Sequence, residues 1–497
     1  MKSEESLKEK TAKGLFWGGM NNGVQQLLGL AFGIILGRLL DPSDYGMTAM
    51  LAVFSVIANE LQSSGFKTGL INMKEPKHED YNAVFWFNIL AGAAIYVVLF
   101  FCAPLIADYY HQPKLIPLSR YVFLGFVFSS FGIAQSAYMT KQMQIKQIAK
   151  CGMTATLTSS IISVILAALG FGYWALATQY LMYIAINTLL LWYFSPWRPT
   201  YLSPLTSFPS KARLPVAFHL SPLKKLFPFS VKIMVSAIFT QLNNQIMNLL
   251  LGHYYGEANT GHYNQAYQWS SKGYLLVGNM VKQVDQTVLV GLHDERERQL
   301  MVLRKMVRFT AFIAFPLLFG LGLVSHEFIV LAIKAKWAFA ASLLPYLCLC
   351  GAFMPLSTLL TDAIISHQRS DIYLWSTVAL GVLQIALMLG LWREGIYTMV
   401  IAYTILNIVW VFVWHFFTRR LMGYRLLSFL KDILPFALAA TVVMFVTGFV
   451  TKSIENLWLL LISRVIIAAL LYYLVMRISG AVILKECIAF ITKKKSA

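Results

Sequence analysis

Four long apolar segments of the sequence carry polar side chains at helical spacing, where they could bind a substrate inside a membrane. The candidates are Asn22, Gln25 and Gln26 in residues 15–37, Asn59 and Gln62 in 45–65, Gln241, Asn244, Gln245 and Asn248 in 228–251, and Gln268, Lys272, Asn279, Lys282 and Gln286 in 263–290. Amides can hydrogen-bond hydroxyl groups, and lysines can hold an anion. The alternative is that the amides join packed helices, because Asn and Gln also hydrogen-bond between membrane helices.

Five charged side chains in or beside these segments each allow two interpretations. Lys272 and Lys282 could hold an anionic substrate. Alternatively, Lys272 extends to the membrane surface and Lys282 pairs with Asp285, three residues further along the helix. Glu60 could couple to a proton or a sodium ion, as could Asp285, or Glu60 could be the permanent partner of a lysine. Arg38, at the end of its segment, could contact substrate or lie at the membrane interface.

The sequence lacks the motifs of the common catalytic sites. It contains no GxSxG, HExxH, Walker loop or DxD motif, and its nine histidines and five cysteines lack the paired spacing of metal ligands. We therefore expect a protein that is not an enzyme and that holds no metal or cofactor. Since there is no nucleotide-binding loop, any uphill transport would have to use a proton or sodium gradient.

The composition excludes a soluble globular enzyme. Of the 497 residues, 58% are hydrophobic and 13% are charged, against about 45–50% and about 25% in a typical soluble domain. The mean hydropathy is +0.63. The net charge of +19 comes from residues that lie mostly between apolar runs, which favours cytoplasmic loops and anionic lipid headgroups over nucleic acid.

Fourteen segments are long and apolar enough to cross the ~30 Å hydrocarbon core as helices. They are residues 15–37, 45–65, 82–106, 116–139, 152–170, 173–194, 228–251, 263–290, 306–326, 340–365, 372–391, 395–418, 432–450 and 457–479. Most of the 41 lysines and arginines then lie on the side of the N-terminus, so both termini should be cytoplasmic. Arg464, in the last span, has no evident partner and should have a structural or lipid-facing role.

A repeated motif and a proline-rich segment divide the chain. LGRLLDPSDYG at 36–46 and LGHYYGEANTG at 251–261 both fit L-G-[R/H]-x7-G at an offset of 215 residues. The predicted parts are an N-terminal six-helix lobe (1–194), a basic cytoplasmic linker (195–227), a pseudo-symmetric C-terminal six-helix lobe (228–420), and two extra helices with a basic cytoplasmic tail (421–497). The first and second helices correspond to the seventh and eighth, so their polar faces would line one shared cavity.

Four motifs that mark turns and helix packing recur in one family of membrane proteins. They are K-T-x-x-G-x-x-W (Lys10–Trp17), G-R-L-L-D-P-S-D-Y-G (Gly37–Gly46), G-x-Y-N-x-A-Y (Gly261–Tyr267) and K-x-K-W (Lys334–Trp337). They resemble motifs of the Wzx-type polysaccharide flippases, a branch of the multidrug/oligosaccharidyl-lipid/polysaccharide (MOP) superfamily. The resemblance reaches from residue 10 to about 420 and implies a fold like that of MATE transporters. The sequence departs from the family at Met247, where an Asp is frequent, and at Thr287, where a Pro is frequent.

The resemblance implies translocation of a polyprenyl-diphosphate-linked oligosaccharide across the bacterial inner membrane by alternating access, for capsule, O-antigen or exopolysaccharide synthesis. The implied partners are this lipid-linked oligosaccharide, membrane lipids and the polysaccharide polymerisation machinery, without nucleic acid. The first alternative is a cation-coupled exporter of drugs or other small molecules, which would favour acidic and aromatic cavity walls. The second is a membrane-embedded glycan polymerase or ligase, for which the segments predicted outside, near 107–115, 252–262 and 327–339, are short.

Overall fold

The structure is a computed structural model that describes residues 7–63, 66–199, 220–291 and 295–486. Within these ranges, the side chains of residues 7–16, 18–19, 63, 220–236 and 282–291 are not described. The described ranges contain helices and no β-strand. The prediction of an all-α fold is therefore confirmed.

The chain divides into two compact units, Met1–Gly261 and His262–Ala497. The helices that lie wholly in the first unit are α1 (Leu7–Leu39), α2 (Pro42–Ser63), α3 (Phe66–Asn72), α4 (His78–Tyr109), α5 (Leu115–Ser130), α6 (Ile133–Lys141), α7 (Ile145–Ala168) and α8 (Tyr173–Phe194). The helix α9 (Leu220–Gly291) begins in the first unit and ends in the second. The remaining helices, all in the second unit, are α10 (Arg296–Leu323), α11 (Ser325–Ile333), α12 (Ala338–Ser366), α13 (Ser370–Leu391), α14 (Ile396–Met422), α15 (Leu426–Val450) and α16 (Leu457–Ile478).

The helices include many that can cross a membrane. Nine of those in the described ranges are long and apolar enough, and ten if the pair α5–α6, bent by 44°, forms one span. They include α4, α7, α8, α10 and all of α12 to α16. The chain is therefore a multi-pass membrane protein, whereas the count of fourteen spans stays a prediction.

Helix packing in the first unit depends on small residues at close crossings. The helix α4 packs on α5, α5 packs on α8, and α7 packs on both α8 and α1. A Cβ added to Gly125 of α5 would lie 2.9 Å from Cδ1 of Ile184 on α8. The absence of that atom allows the two helices to approach closely, as glycine does between membrane helices generally.

Two segments predicted as outside connectors contain more helix than the short loops expected there. Residues 252–262 are helical on both sides of Gly256, where φ is 78° and ψ is −178°, and this kink divides α9 into two helices. Glycine adopts positive φ without a steric penalty, so this residue can bend the chain where others would be strained. The helix α11 occupies much of 327–339. Helices satisfy their own backbone hydrogen bonds, which favours them over loops near the hydrocarbon.

Two ion pairs hold α15 and α16 against α10 and α11 in the second unit. Near the start of α10, Nε of Arg304 donates to Oδ2 of Asp432 on α15 at 2.7 Å. Beyond its end, Nη1 of Arg464 on α16 donates to Oε1 of Glu327 on α11 at 2.9 Å. Of the two roles expected of Arg464, structural or lipid-facing, this ion pair supports the structural one, and the partner lies 137 residues away in sequence.

Candidate functional site

The two copies of the repeated motif meet within the first unit. A Cβ added to Gly46 of α2 would lie 1.7 Å from the backbone oxygen of Glu257 in α9. A Cβ added to Gly261 would lie 1.8 Å from the backbone oxygen of Pro42. A real Cβ does not approach a backbone oxygen so closely, so each motif supplies a glycine that the contact requires.

Side chains from the end of α4 strengthen this contact between the α1–α2 hairpin and the bend of α9. The hydroxyl of Tyr110 donates to the backbone oxygen of Met50 at 3.0 Å. Nε2 of Gln112 donates to Oε2 of Glu257 at 2.7 Å. Burial raises the pKa of Tyr110, which keeps this hydroxyl protonated as a donor. We call the contact and these hydrogen bonds the hairpin junction.

A stacked histidine completes the hairpin junction. The ring of His253 on α9 stacks on Tyr109 with centroids 4.5 Å apart, and its Nδ1 lies 2.6 Å from the backbone oxygen of Tyr109. The sequence does not indicate the roles of these residues, because aromatic and amide side chains next to a predicted loop have no periodicity that would single them out.

Two of the predicted candidates serve helix packing in the first unit. Gln62 is fully buried; its Nε2 donates to the backbone oxygen of Phe126 at 2.6 Å and its Oε1 accepts from Ser129 at 2.8 Å. Nε2 of Gln25 donates to Asn21 at 3.0 Å and lies 2.7 Å from a Cβ added to Gly152 of α7. Gln62 therefore joins α2 to α5, as the packing alternative expects, whereas the hydrogen bond of Gln25 stays within α1.

The polar faces of α2 and α9 come together at one point in the first unit. Nε2 of Gln241 donates to Oε1 of Glu60 at 3.4 Å. One turn or more further along α9, Nδ2 of Asn248 donates to Oε1 of Gln245 at 2.8 Å. The Oδ1 of Asn248 is buried and has no hydrogen-bond partner among the described residues. The exposed candidates are Asn22, Gln26, Arg38, Asn59 and Asn244.

In the second unit, α9 carries a lysine that lies over an aromatic ring. Nζ of Lys272 is 4.1 Å from the ring centroid of Trp269. No ion pair joins Lys272 to a carboxylate among the side chains that the structure describes. Gln268 donates to Asn264 at 2.6 Å, and Asn279 is partly buried. The side chains of Lys282, Asp285 and Gln286 lie outside the described residues.

A cavity of about 450 Å³ lies between α2, α5 and α8 in the first unit. Its polar lining consists of Thr48, Ser55, Asn59, Ser129, Tyr180 and Tyr183, and the rest is aliphatic or phenyl. Asn59 is a predicted candidate, whereas the two tyrosines were missed because α8 shows no polar stripe. Amides, hydroxyls and aromatic rings can hold an uncharged polar group here.

Comparison with known proteins identifies the family. A sequence profile described as "Polysaccharide biosynthesis protein" matches residues 35–342, which is more than half of the chain. The chain belongs to this polysaccharide biosynthesis protein family. The resemblance to Wzx-type flippases is thereby confirmed. The chain is also similar to the lipopolysaccharide biosynthesis protein WzxC of Escherichia coli (strain K12). The two are 26% identical over 371 residues, which cover 74% of this chain and 72% of that protein.

Two solved structures share the fold of this chain. The lipid II flippase MurJ in an inward closed conformation aligns with a TM-score of 0.70 at 15% identity, covering 93% of this chain and 98% of that one. An inward-facing MATE family transporter of the MOP superfamily aligns with a TM-score of 0.62 at 16% identity, covering 80% and 95%. At these identities the likeness concerns the fold alone.

Proposed function

We propose that this protein translocates a polyprenyl-diphosphate-linked oligosaccharide across the bacterial inner membrane for capsule, O-antigen or exopolysaccharide synthesis. Membership of the polysaccharide biosynthesis family and the fold shared with a lipid II flippase support this function. We propose further that fourteen spans form two six-helix lobes, 1–194 and 228–420, with two extra helices in 421–497. Membrane lipids and the polysaccharide polymerisation machinery are the proposed partners.

The hairpin junction is the observation that carries the proposed mechanism of alternating access. The two motifs would belong to equivalent helices of the proposed repeat, and each contributes a glycine where an added Cβ would collide with the backbone of the other. On the proposed topology this contact closes the outside of the transport path. Repeated halves that separate on one side and close on the other are a common plan of secondary transporters.

The amide-rich helices would bind the glycan, whose hydroxyl groups need donors and acceptors. We propose no cofactor, and Glu60, which accepts from Gln241, is our candidate for coupling to a proton or sodium gradient. The same carboxylate would suit the alternative, a cation-coupled exporter. The positive charge of Lys272, by contrast, would suit an anionic substrate. We do not propose an enzyme, because the described connectors between the long helices are short for a catalytic domain.

Deletion of the gene tests the function directly. Cells without the protein should lose surface polysaccharide and accumulate the complete polyprenyl-diphosphate-linked oligosaccharide, which mass spectrometry of lipid extracts would detect. Re-expression should reverse both effects. Unchanged surface polysaccharide, or accumulation of incomplete oligosaccharides, would contradict the proposal, and increased drug sensitivity alone would favour the exporter.

Lys272 should contribute a large part of the binding of the diphosphate. A hydrogen bond to a charged group contributes about 1.5–3 kcal/mol, so Lys272→Ala should lower polysaccharide export about tenfold or more, while Lys272→Arg should retain most of it. Lys452→Ala, at an exposed lysine between α15 and α16, is the control. Surface polysaccharide would be measured at equal amounts of protein in the membrane, and equal export by the two alanine variants would contradict this role.

The charge distribution predicts that the N-terminus, the linker 195–227 and the C-terminus face the cytoplasm. Single cysteines at Ser3, Ser210 and Ser496, which lie outside the described residues, should resist an impermeant thiol reagent in intact cells and react after the cells are opened. A cysteine-free protein is the background. Labelling of all three positions in intact cells would contradict this topology and indicate the opposite orientation.

A further inference from the structure

A second hollow of the first unit lies between α5 and α8, near the end of α8, and its lining is almost wholly apolar. It has a volume of about 290 Å³ and is lined by Phe128, Phe131, Ala185, Thr188, Leu189 and Trp192. Leu189 is 69% exposed and Phe131 is 37% exposed. We call it the α5–α8 groove. Because α8 is a candidate membrane span, a concave apolar surface of this kind faces lipid chains rather than water.

A fixed aromatic ring ends the α5–α8 groove. Nε1 of Trp192 donates to the backbone oxygen of Phe131 at 2.8 Å, which joins the last turn of α8 to the end of α5. Tryptophan prefers the interface between hydrocarbon and headgroups, where its apolar ring and its polar N–H are both accommodated. The hydrogen bond holds the ring in place at the end of the groove.

An exposed arginine lies beside that ring. The guanidinium carbon of Arg198 is 5.7 Å from the ring centroid of Trp192, and Nη1 donates to the backbone oxygens of Ser195 and Trp197. These bonds hold the guanidinium beside Trp192, and among the described residues Nε and Nη2 of the exposed Arg198 make no hydrogen bond. Guanidinium groups bind phosphate with two parallel hydrogen bonds.

The apolar groove can accommodate one acyl chain of a phospholipid, and the exposed arginine at its end can bind the phosphate of the headgroup. We propose that the α5–α8 groove binds an anionic phospholipid, with an acyl chain against Phe128, Phe131 and Leu189 and the headgroup phosphate on Arg198. On the proposed topology this end of α8 is cytoplasmic, where anionic lipids are concentrated and attract basic residues. The proposal does not depend on the substrate of the protein.

Native mass spectrometry of the full chain, freed of lipid in detergent, tests the site with dioleoylphosphatidylglycerol and with dioleoylglycerol, which has the same acyl chains and no phosphate. The protein should bind the anionic lipid about tenfold more tightly, since one hydrogen-bonded charge pair contributes this much. Arg198→Gln should remove the preference and leave weak binding of both lipids. Ala185→Trp, which fills the groove, should weaken the binding of both.

Two matched variants control for unspecific effects. Arg393 also lies over a tryptophan, Trp392, at 5.0 Å, without the groove, and Ala93 is an exposed residue of α4. Arg393→Gln and Ala93→Trp should bind both lipids as the unaltered protein does. Equal binding of the two lipids by the unaltered protein, or an effect of the controls as large as that of Arg198→Gln, would overturn the proposal. Displacement of the anionic phospholipid by an equimolar amount of undecaprenyl phosphate would also overturn it, since the substrate's own tail would then be the occupant.

Discussion

Replacing Gly46 or Gly261 with alanine should prevent the hairpin junction from closing and thereby strongly impair export. The added Cβ would lie 1.7 Å from the backbone oxygen of Glu257 or 1.8 Å from that of Pro42. Both neighbours are backbone atoms, so the conflict is relieved only by moving a helix. Overpacking of this kind costs about 1–3 kcal/mol, which would reduce the ratio of closed to open protein roughly five- to 150-fold.

A crosslink would measure closure separately from export. Cysteines at Ser43 and Asn259, one in each copy of the repeated motif, should form a disulfide in a cysteine-free protein and block export until it is reduced. We call these two segments the two hairpins. Gly46→Ala should lower the yield of this disulfide and the export of polysaccharide together. The matched control is Gly29→Ala on α1, where nothing lies within 4 Å of the added Cβ, and it should change neither.

Two outcomes would contradict the role of the junction. If the disulfide forms in Gly46→Ala as readily as in the unaltered protein, the two hairpins do not need the glycines to approach. If the crosslinked protein exports at the normal rate, the hairpins do not separate during transport and the mechanism of alternating access fails at this position.

The helices could be predicted from the sequence because they depend on local pattern. Apolar runs of about 20 residues must form helices in a membrane, since the backbone has no other hydrogen-bond partner there. Gly46 and Gly261 occupy the same position, the last, in the two motifs of the sequence. The structure brings the two motifs into contact. The pattern did not reveal that the break between the two helices of α9 is confined to Gly256, because the polar residues around this glycine are typical of a longer loop.

The roles of single polar side chains could not be predicted, since they depend on neighbours that are distant in sequence. Gln62 and Asn59 lie on the same helix, but Gln62 is hydrogen-bonded to α5 whereas Asn59 reaches the cavity. Helical spacing places both on a polar stripe and gives no information about the helix that covers them. Gln112, which bonds Glu257 from 145 residues away, left no signal at all.

The ion pair of Arg464 is the clearest case of a partner that only the tertiary structure supplies. The side chains of Arg464 and Glu327 are 16% and 6% exposed. Nη1 of Arg464 also donates to the backbone oxygen of Leu323 at 3.1 Å, and Nε donates to Thr451 at 3.2 Å. The arginine therefore joins the end of α10, the start of α11 and the end of α15 to α16.

Removing either partner of this pair should destabilise the protein strongly. Breaking a buried ion pair costs about 3–5 kcal/mol, because the remaining charge stays buried without compensation. In Arg464→Leu this charge is Glu327, whose Oε2 already lacks a hydrogen-bond partner among the described residues. We expect Arg464→Leu and Glu327→Leu each to lower the midpoint of thermal unfolding in detergent well below that of the unaltered protein.

The double variant distinguishes a buried charge from lost packing. Replacing both Arg464 and Glu327 with leucine leaves no buried charge, so it should be more stable than either single variant, since apolar side chains can replace buried ion pairs at little cost. Arg369→Leu, which breaks an exposed pair with Asp371, should leave the midpoint almost unchanged. If the destabilisation of the double variant equals the sum of the two single variants, the two charges act independently, and the pair does not fasten α16 to the rest of the second unit.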